Sequence, residues 1–137
     1  MSRVLEETTG QDIDRDHVTR RVDDWVGRIN ALYDQVIAWL PTGWTAQKTG
    51  TIRMHEELMQ RSDVPARDLP VLGLSSERRS GRVEPRGLWI IGANGRLDFF
   101  VGSQHYVIVD VAENLQPPQW RIAPFSNRQQ LQPLDLD

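Results

Sequence analysis

The chain has 137 residues, 16 basic and 19 acidic side chains, a formal net charge of −3 and no cysteine. Structural disulfides and thiolate metal sites are therefore excluded, and a cytoplasmic setting is expected. The acidic balance argues against a nucleic-acid surface, whose affinity depends on counterions displaced by basic groups.

Residues 1–10 read as a polar tail, and no apolar run approaches a membrane span, so no membrane association is expected. From Gln11 to Leu40 the residues Val18, Val22, Trp25, Ile29, Leu32 and Val36 recur at spacings of four and three, which predicts a helix over 11–40. Val26, Tyr33, Ile37 and Leu40 widen the stripe. Asp12, Asp14 and Asp16 suit the positive end of its dipole, and Pro41-Thr42-Gly43 ends it. The stripe offers more apolar surface than one sheet face covers, so a homodimer through this helix is expected.

Residues 44–58 read as a hairpin around Thr49-Gly50, with Ile52, Met54 and Leu58 facing inward. The stretch RMHEELMQR is also rich in helix formers, and periodicity leaves strand or helix open over 51–61; the turn dipeptide tips the reading to strand. Val64-Pro65 and Leu69-Pro70 bound a loop. Val71 to Ser76 is a predicted strand, Glu77 to Gly81 a turn and Arg82 to Glu84 the return, with Pro85 marking an edge, bulge or break.

The stretch RGLWIIGANGRLDFFVGSQHYVIVDV, Arg86 to Val111, carries the strongest pattern. Asn94-Gly95 suits a two-residue hairpin turn. In that register Ile91 pairs with Asp98 and Trp89 with Phe100. Leu88, Ile90, Leu97, Phe99 and Val101 then share an apolar face; Trp89, Ile91, Arg96, Asp98 and Phe100 share a mixed one. A two-residue loop after Val101 adds Tyr106 and Ile108 to the first face and His105, Val107 and Val109 to the second. Trp120 to Phe125 is a final short strand, and 126–137 a polar tail. The expectation is one α+β domain over 1–137: a long N-terminal helix packed on an antiparallel β-meander of five to seven strands, the sheet lying mainly within 44–125.

Candidate chemistry is sparse. Asp12, Asp14 and Asp16 imitate the start of a calcium loop, but His17 stands where glycine is needed and Asp23 where a bidentate Glu is needed. Gly92 to Gly95 matches the GxxG loop of KH domains between strands rather than helices. Met59 replaces the second histidine of an HExxH zinc motif begun at His55. No metal site and no cofactor is expected. Asp98 and His105, on adjacent strands, are the candidates for an acid/base pair. Trp89, Arg96, Phe100 and His105 are the candidate binding residues on the mixed face, and Arg78, Arg79, Arg82 and Arg86 cluster around one predicted turn.

The leading expectation is a non-enzymatic protein-binding module, such as an immunity protein, an antitoxin or an accessory subunit of a bacterial system. It rests on a compact chain with Trp and Arg on a partly apolar face and no catalytic signature. The alternative is a small-ligand enzyme or binder with a pocket between sheet and helix around Trp89, Asp98 and His105. A third reading is nucleic-acid binding through the arginine turn.

Overall fold

A computed structural model describes residues 3–89, 95–113 and 116–134, with side chains described from Arg15 onward. A long helix α1 (Arg3–Trp39) is followed by β1 (Thr45–Met54), a short helix α2 (Glu57–Arg61), then β2 (Arg67–Ser75), β3 (Ser80–Gly87), β4 (Arg96–Val101), β5 (Gln104–Asp110), β6 (Trp120–Pro124) and β7 (Gln132–Pro133). Each strand pairs antiparallel with the next in the chain, giving one seven-stranded meander. The α+β layout of a long helix before an antiparallel sheet is thus what the chain adopts.

The helical stripe finds its partner within the chain. Val18, Val22, Trp25, Ile29, Leu32 and Tyr33 are fully buried and share one cluster with Leu72, Leu74, Val83, Leu88, Leu97 and Ile108 from the sheet. Spacings of four and three keep the first five on one side of a 3.6-residue helix, and strand alternation aligns Leu97 with Ile108 and Ile122 across three strands. Most of the stripe is thus covered by the sheet, with Val26, Val36 and Leu40 partly buried against the same core. Of the large apolar side chains on α1, Ile37 alone among the described residues is exposed.

A buried ion pair fixes the helix to the far end of β5. Arg28 Nη1 donates to Asp110 Oδ2 at 2.7 Å, with side chains 6% and 0% exposed. Arg28 also donates to Asp24 and to the carbonyl of Gln116. Asp110 Oδ1 accepts the backbone N–H groups of Ala112 and Gln119 at 3.0 and 2.9 Å, so both charges have the partners that burial demands. Tyr33 supplies a second polar link, its hydroxyl lying 2.7 Å from the carbonyl of Pro70 and 3.2 Å from that of Val83. Burial, with Glu84 adding to it, pushes the Tyr33 hydroxyl well above the ordinary phenol range.

The structure departs from the sequence expectations at several places, one being that β2 starts at Arg67 and pairs with β1 through Leu69 and Pro70, where a loop up to Val71 was expected. The helix begins at Arg3, so 3–10 is helical rather than tail and Asp12, Asp14 and Asp16 lie inside α1 rather than at its start. Thr49-Gly50 is a β-bulge in one continuous strand, not a hairpin turn: the register moves from Lys48 opposite Leu72 to Gly50 opposite Val71. Gly73 makes the space, since a Cβ there would lie 2.6 Å from Thr49 Cγ2. The stretch after β1 is the short helix α2, whose Met59 is fully buried. It ends where Asp63 takes φ +58° and the Val64 N–H returns to the Met59 carbonyl. Where a polar tail was expected from 126 onward, the chain forms a 3-10 turn at Phe125–Asn127 and then β7, and the Leu134 N–H donates to the Trp120 carbonyl.

A further departure is in the central register. Asp98 lies opposite Glu84 and Phe100 opposite Arg82, so β4 pairs with β3, and Trp89 is not the partner of Phe100. Asn94 and residues 90–92 lie outside the described residues. Two contacts explain the change. The Glu56 carboxylate accepts the N–H groups of Leu88 (2.8 Å) and Trp89 (3.3 Å), which takes them out of the ladder after a bulge between Pro85 and Gly87. Gly95, at φ +130°, carries the Trp25 indole where a Cβ would stand. The second turn is as expected: Val101 pairs with Gln104 across Gly102-Ser103, and His105 falls opposite Phe100.

Candidate functional site

Alternation along β3 to β6 sends Leu97, Phe99 and Ile108 toward the helix and leaves Arg82, Glu84, Arg96, Asp98, Phe100, His105, Val107, Arg121 and Ala123 on the outer face. Val107 and Ala123 are nonetheless buried, flanking one another and Asp98 in one row across the sheet. A cover of polar and aromatic side chains shields this row.

Asp98 is at the centre of that cover, with only 2% of its side chain exposed. Arg96 grips it through Nε at 2.8 Å and a second guanidinium nitrogen at 3.3 Å, a two-pronged contact that holds the carboxylate plane. His105 Nε2 lies 3.0 Å from Oδ2, and Arg86 Nε 3.4 Å from the same oxygen. Arg86 and Arg82 also pair with Glu84.

The rings form a ladder above this network. His105 lies between Phe100 and Phe125, each with its ring centroid 4.2 Å away and with interplanar angles of 24° and 10°. Arg82 stands 4.2 Å over Phe100 and Arg128 4.5 Å over Phe125. The order across the sheet is therefore guanidinium, phenyl, imidazole, phenyl, guanidinium. Cation–π attraction holds the ends of the ladder, and stacking holds its middle. Phe125 remains 40% exposed.

Asp98 and His105 are thus brought together as expected from the strand spacing, and Arg96 and Phe100 join them. The arrangement suits a structural pairing better than proton transfer. Both carboxylate oxygens already accept from fixed donors, one imidazole nitrogen is engaged with Asp98, and both ring faces are covered. Trp89 does not belong to this group. It packs against the helix-side core, with the Arg21 guanidinium 5.8 Å from its ring, so Trp89, Asp98 and His105 do not line one pocket. Burial, with the Arg28 charge adding to it, lowers the affinity of Arg21 for its proton.

The arginine cluster is divided. Arg82 and Arg86 lie on the outer face in ion pairs, whereas Arg78 and Arg79 sit at the β2–β3 turn, beside an open cleft of about 550 Å³ that Trp44 and Glu77 also line. Sequence reasoning missed Phe125, Arg121 and Arg128. The first two were within reach, since alternation through Trp120, Ile122 and Pro124 assigns Arg121, Ala123 and Phe125 to the opposite side. Arg128 arrives only through the 3-10 turn that follows β6. No group of metal-ligating side chains occurs among the described residues, and none of their helices is long and apolar enough to cross a membrane. Comparison with protein-family models, curated proteins and solved structures finds no match to this chain.

Proposed function

We propose that this protein is a binding module that docks another protein on the outer face of β3 to β6. The observation that carries the reading is the ladder of Arg82, Phe100, His105, Phe125 and Arg128, a rigid surface rich in the side chains that anchor interfaces. Its rings are pre-ordered by stacking, so little side-chain entropy is lost when a partner covers them. Asp98 and its three donors act here as the base that holds the ladder in register. A small, cysteine-free chain of this kind suits an accessory or immunity-type subunit in the cytoplasm.

Affinity capture from extracts of the source cells tests the reading. The wild-type chain and Arg20→Ala, altered on the exposed side of α1, should retain a stoichiometric partner that Phe125→Ala loses while keeping its melting temperature. A partner held equally by Phe125→Ala would move the docking surface elsewhere.

A further inference from the structure

We infer that the partner segment received by this face is acidic and extended, with carboxylates placed to meet the two guanidinium groups that close the ring ladder; the inference rests on the docking role of the outer face. Charge provides the first argument. Among the described residues, Arg82, Arg86, Arg96, Arg121 and Arg128 stand on or beside this face against only Glu84 and Asp98, in a chain whose formal net charge is −3. The face is therefore a basic island on an acidic molecule. Among the described residues no ion pair engages Arg121 or Arg128, and Arg82 keeps 53% of its side chain exposed beside Glu84. These guanidiniums retain donors for an incoming carboxylate, which the planar fork can take in two-pronged fashion.

Spacing provides the second argument. Successive members of the ladder lie 4.2 to 4.5 Å apart. The end guanidiniums are then at most about 17 Å apart, a distance that an extended chain spans in about five residues at ~3.3 Å each. Between them the partner meets ring edges and the half-exposed Phe125, a strip that accepts small or β-branched side chains. Two acidic residues about five positions apart in an extended segment fit this pattern.

A nucleic acid carries the same charge but fits less well. Single strands are gripped by stacking bases on open aromatic faces, and the ladder has none to offer: both faces of His105 are covered by phenyl rings, and Phe100 is covered by Arg82 on its other side. The formal net charge of −3 on the whole chain further opposes a long polyanion, whereas a short acidic peptide needs only the island.

Fluorescence anisotropy with the full chain tests the inference. The probe is a short labelled peptide with glutamates about five residues apart flanking a Val-Thr centre, compared with its glutamine counterpart and with oligothymidylate. The acidic peptide should bind with at least about tenfold lower Kd than the other two and should weaken as salt is raised. The double variant Arg82→Gln/Arg128→Gln should raise that Kd about tenfold or more, while Arg20→Gln leaves it unchanged. Equal binding of the glutamine peptide, absence of binding, or an unaltered Kd in the double variant would overturn the acidic-segment proposal. Tighter binding of oligothymidylate would replace it with a nucleic-acid surface. None of these results alone removes the docking face, which stands or falls on whether Phe125→Ala releases the captured partner.

Discussion

Gly95 shows how much one missing side chain can matter. Its φ of +130° is open to few residues other than glycine, and an added Cβ would stand 2.4 Å from the Trp25 ring, itself fully buried. Gly95→Ala therefore combines backbone strain with displacement of a core indole, and should cost more than about 2 kcal/mol in urea denaturation. The need for glycine here was legible in the Asn-Gly dipeptide, but the packing of the Trp25 indole against the position was not, because that contact comes from a helix some seventy residues earlier in the chain. Tyr33 offers a second test, one that depends on pH. Its folded-state pKa is raised above the ordinary 10.0 by burial. The folded chain keeps a proton that the unfolded chain gives up, so the contribution is whole below about pH 10 and drains away as pH rises. Tyr33→Phe should flatten the alkaline fall in stability. Near neutrality it should cost about 1 kcal/mol or more, because the Pro70 and Val83 carbonyls lose their donor. Chemical denaturation of both proteins across this range measures the two effects together.

At the scale of elements, the joints are ionic where the faces are apolar. α1 meets the sheet through side chains that any helix stripe supplies, yet its position along the sheet is set by Arg28 and Asp110. Arg28→Met should destabilise by roughly 3 kcal/mol, since it leaves the Asp110 charge buried without its cation. Adding Asp110→Asn should recover part of that loss, because the amide oxygen can still accept from Ala112 and Gln119. A double-mutant cycle read by thermal or urea unfolding gives the coupling, and strictly additive effects would show that the two groups act independently. The outer face is built on the same principle. Asp98 gathers Arg96, Arg86 and His105 from three strands, and the rings then stack on His105.

For the whole molecule, helix and sheet share one core, so neither has a separate fold to fall back on. Trp25 on α1 touches Trp120 on β6 with ring centroids 6.1 Å apart, which ties the two ends of the chain through adjacent indoles. Tryptophan fluorescence and the helical circular dichroism signal should then melt together in a single transition. Separate midpoints would mean that α1 undocks before the sheet opens.

How much of this could be read in advance depended on the range of the interaction responsible. Helix periodicity and strand alternation act between neighbours in the chain, so the stripe of α1, the Gly102-Ser103 turn, and the side-by-side placement of Asp98, Phe100 and His105 followed from the residues themselves. The β3–β4 pairing, the bulge at Thr49 and the removal of Trp89 to the helix side did not. Each is decided by a distant group: the Glu56 carboxylate on Leu88 and Trp89, the bare Gly73 beside Thr49, and Arg21 with the core against the Trp89 ring. The ladder needed both kinds of information. Alternation placed Phe100 and His105 on one face, but only the tertiary fold brought Arg82, Phe125 and Arg128 to close it, because cross-strand stacking depends on which strands become neighbours.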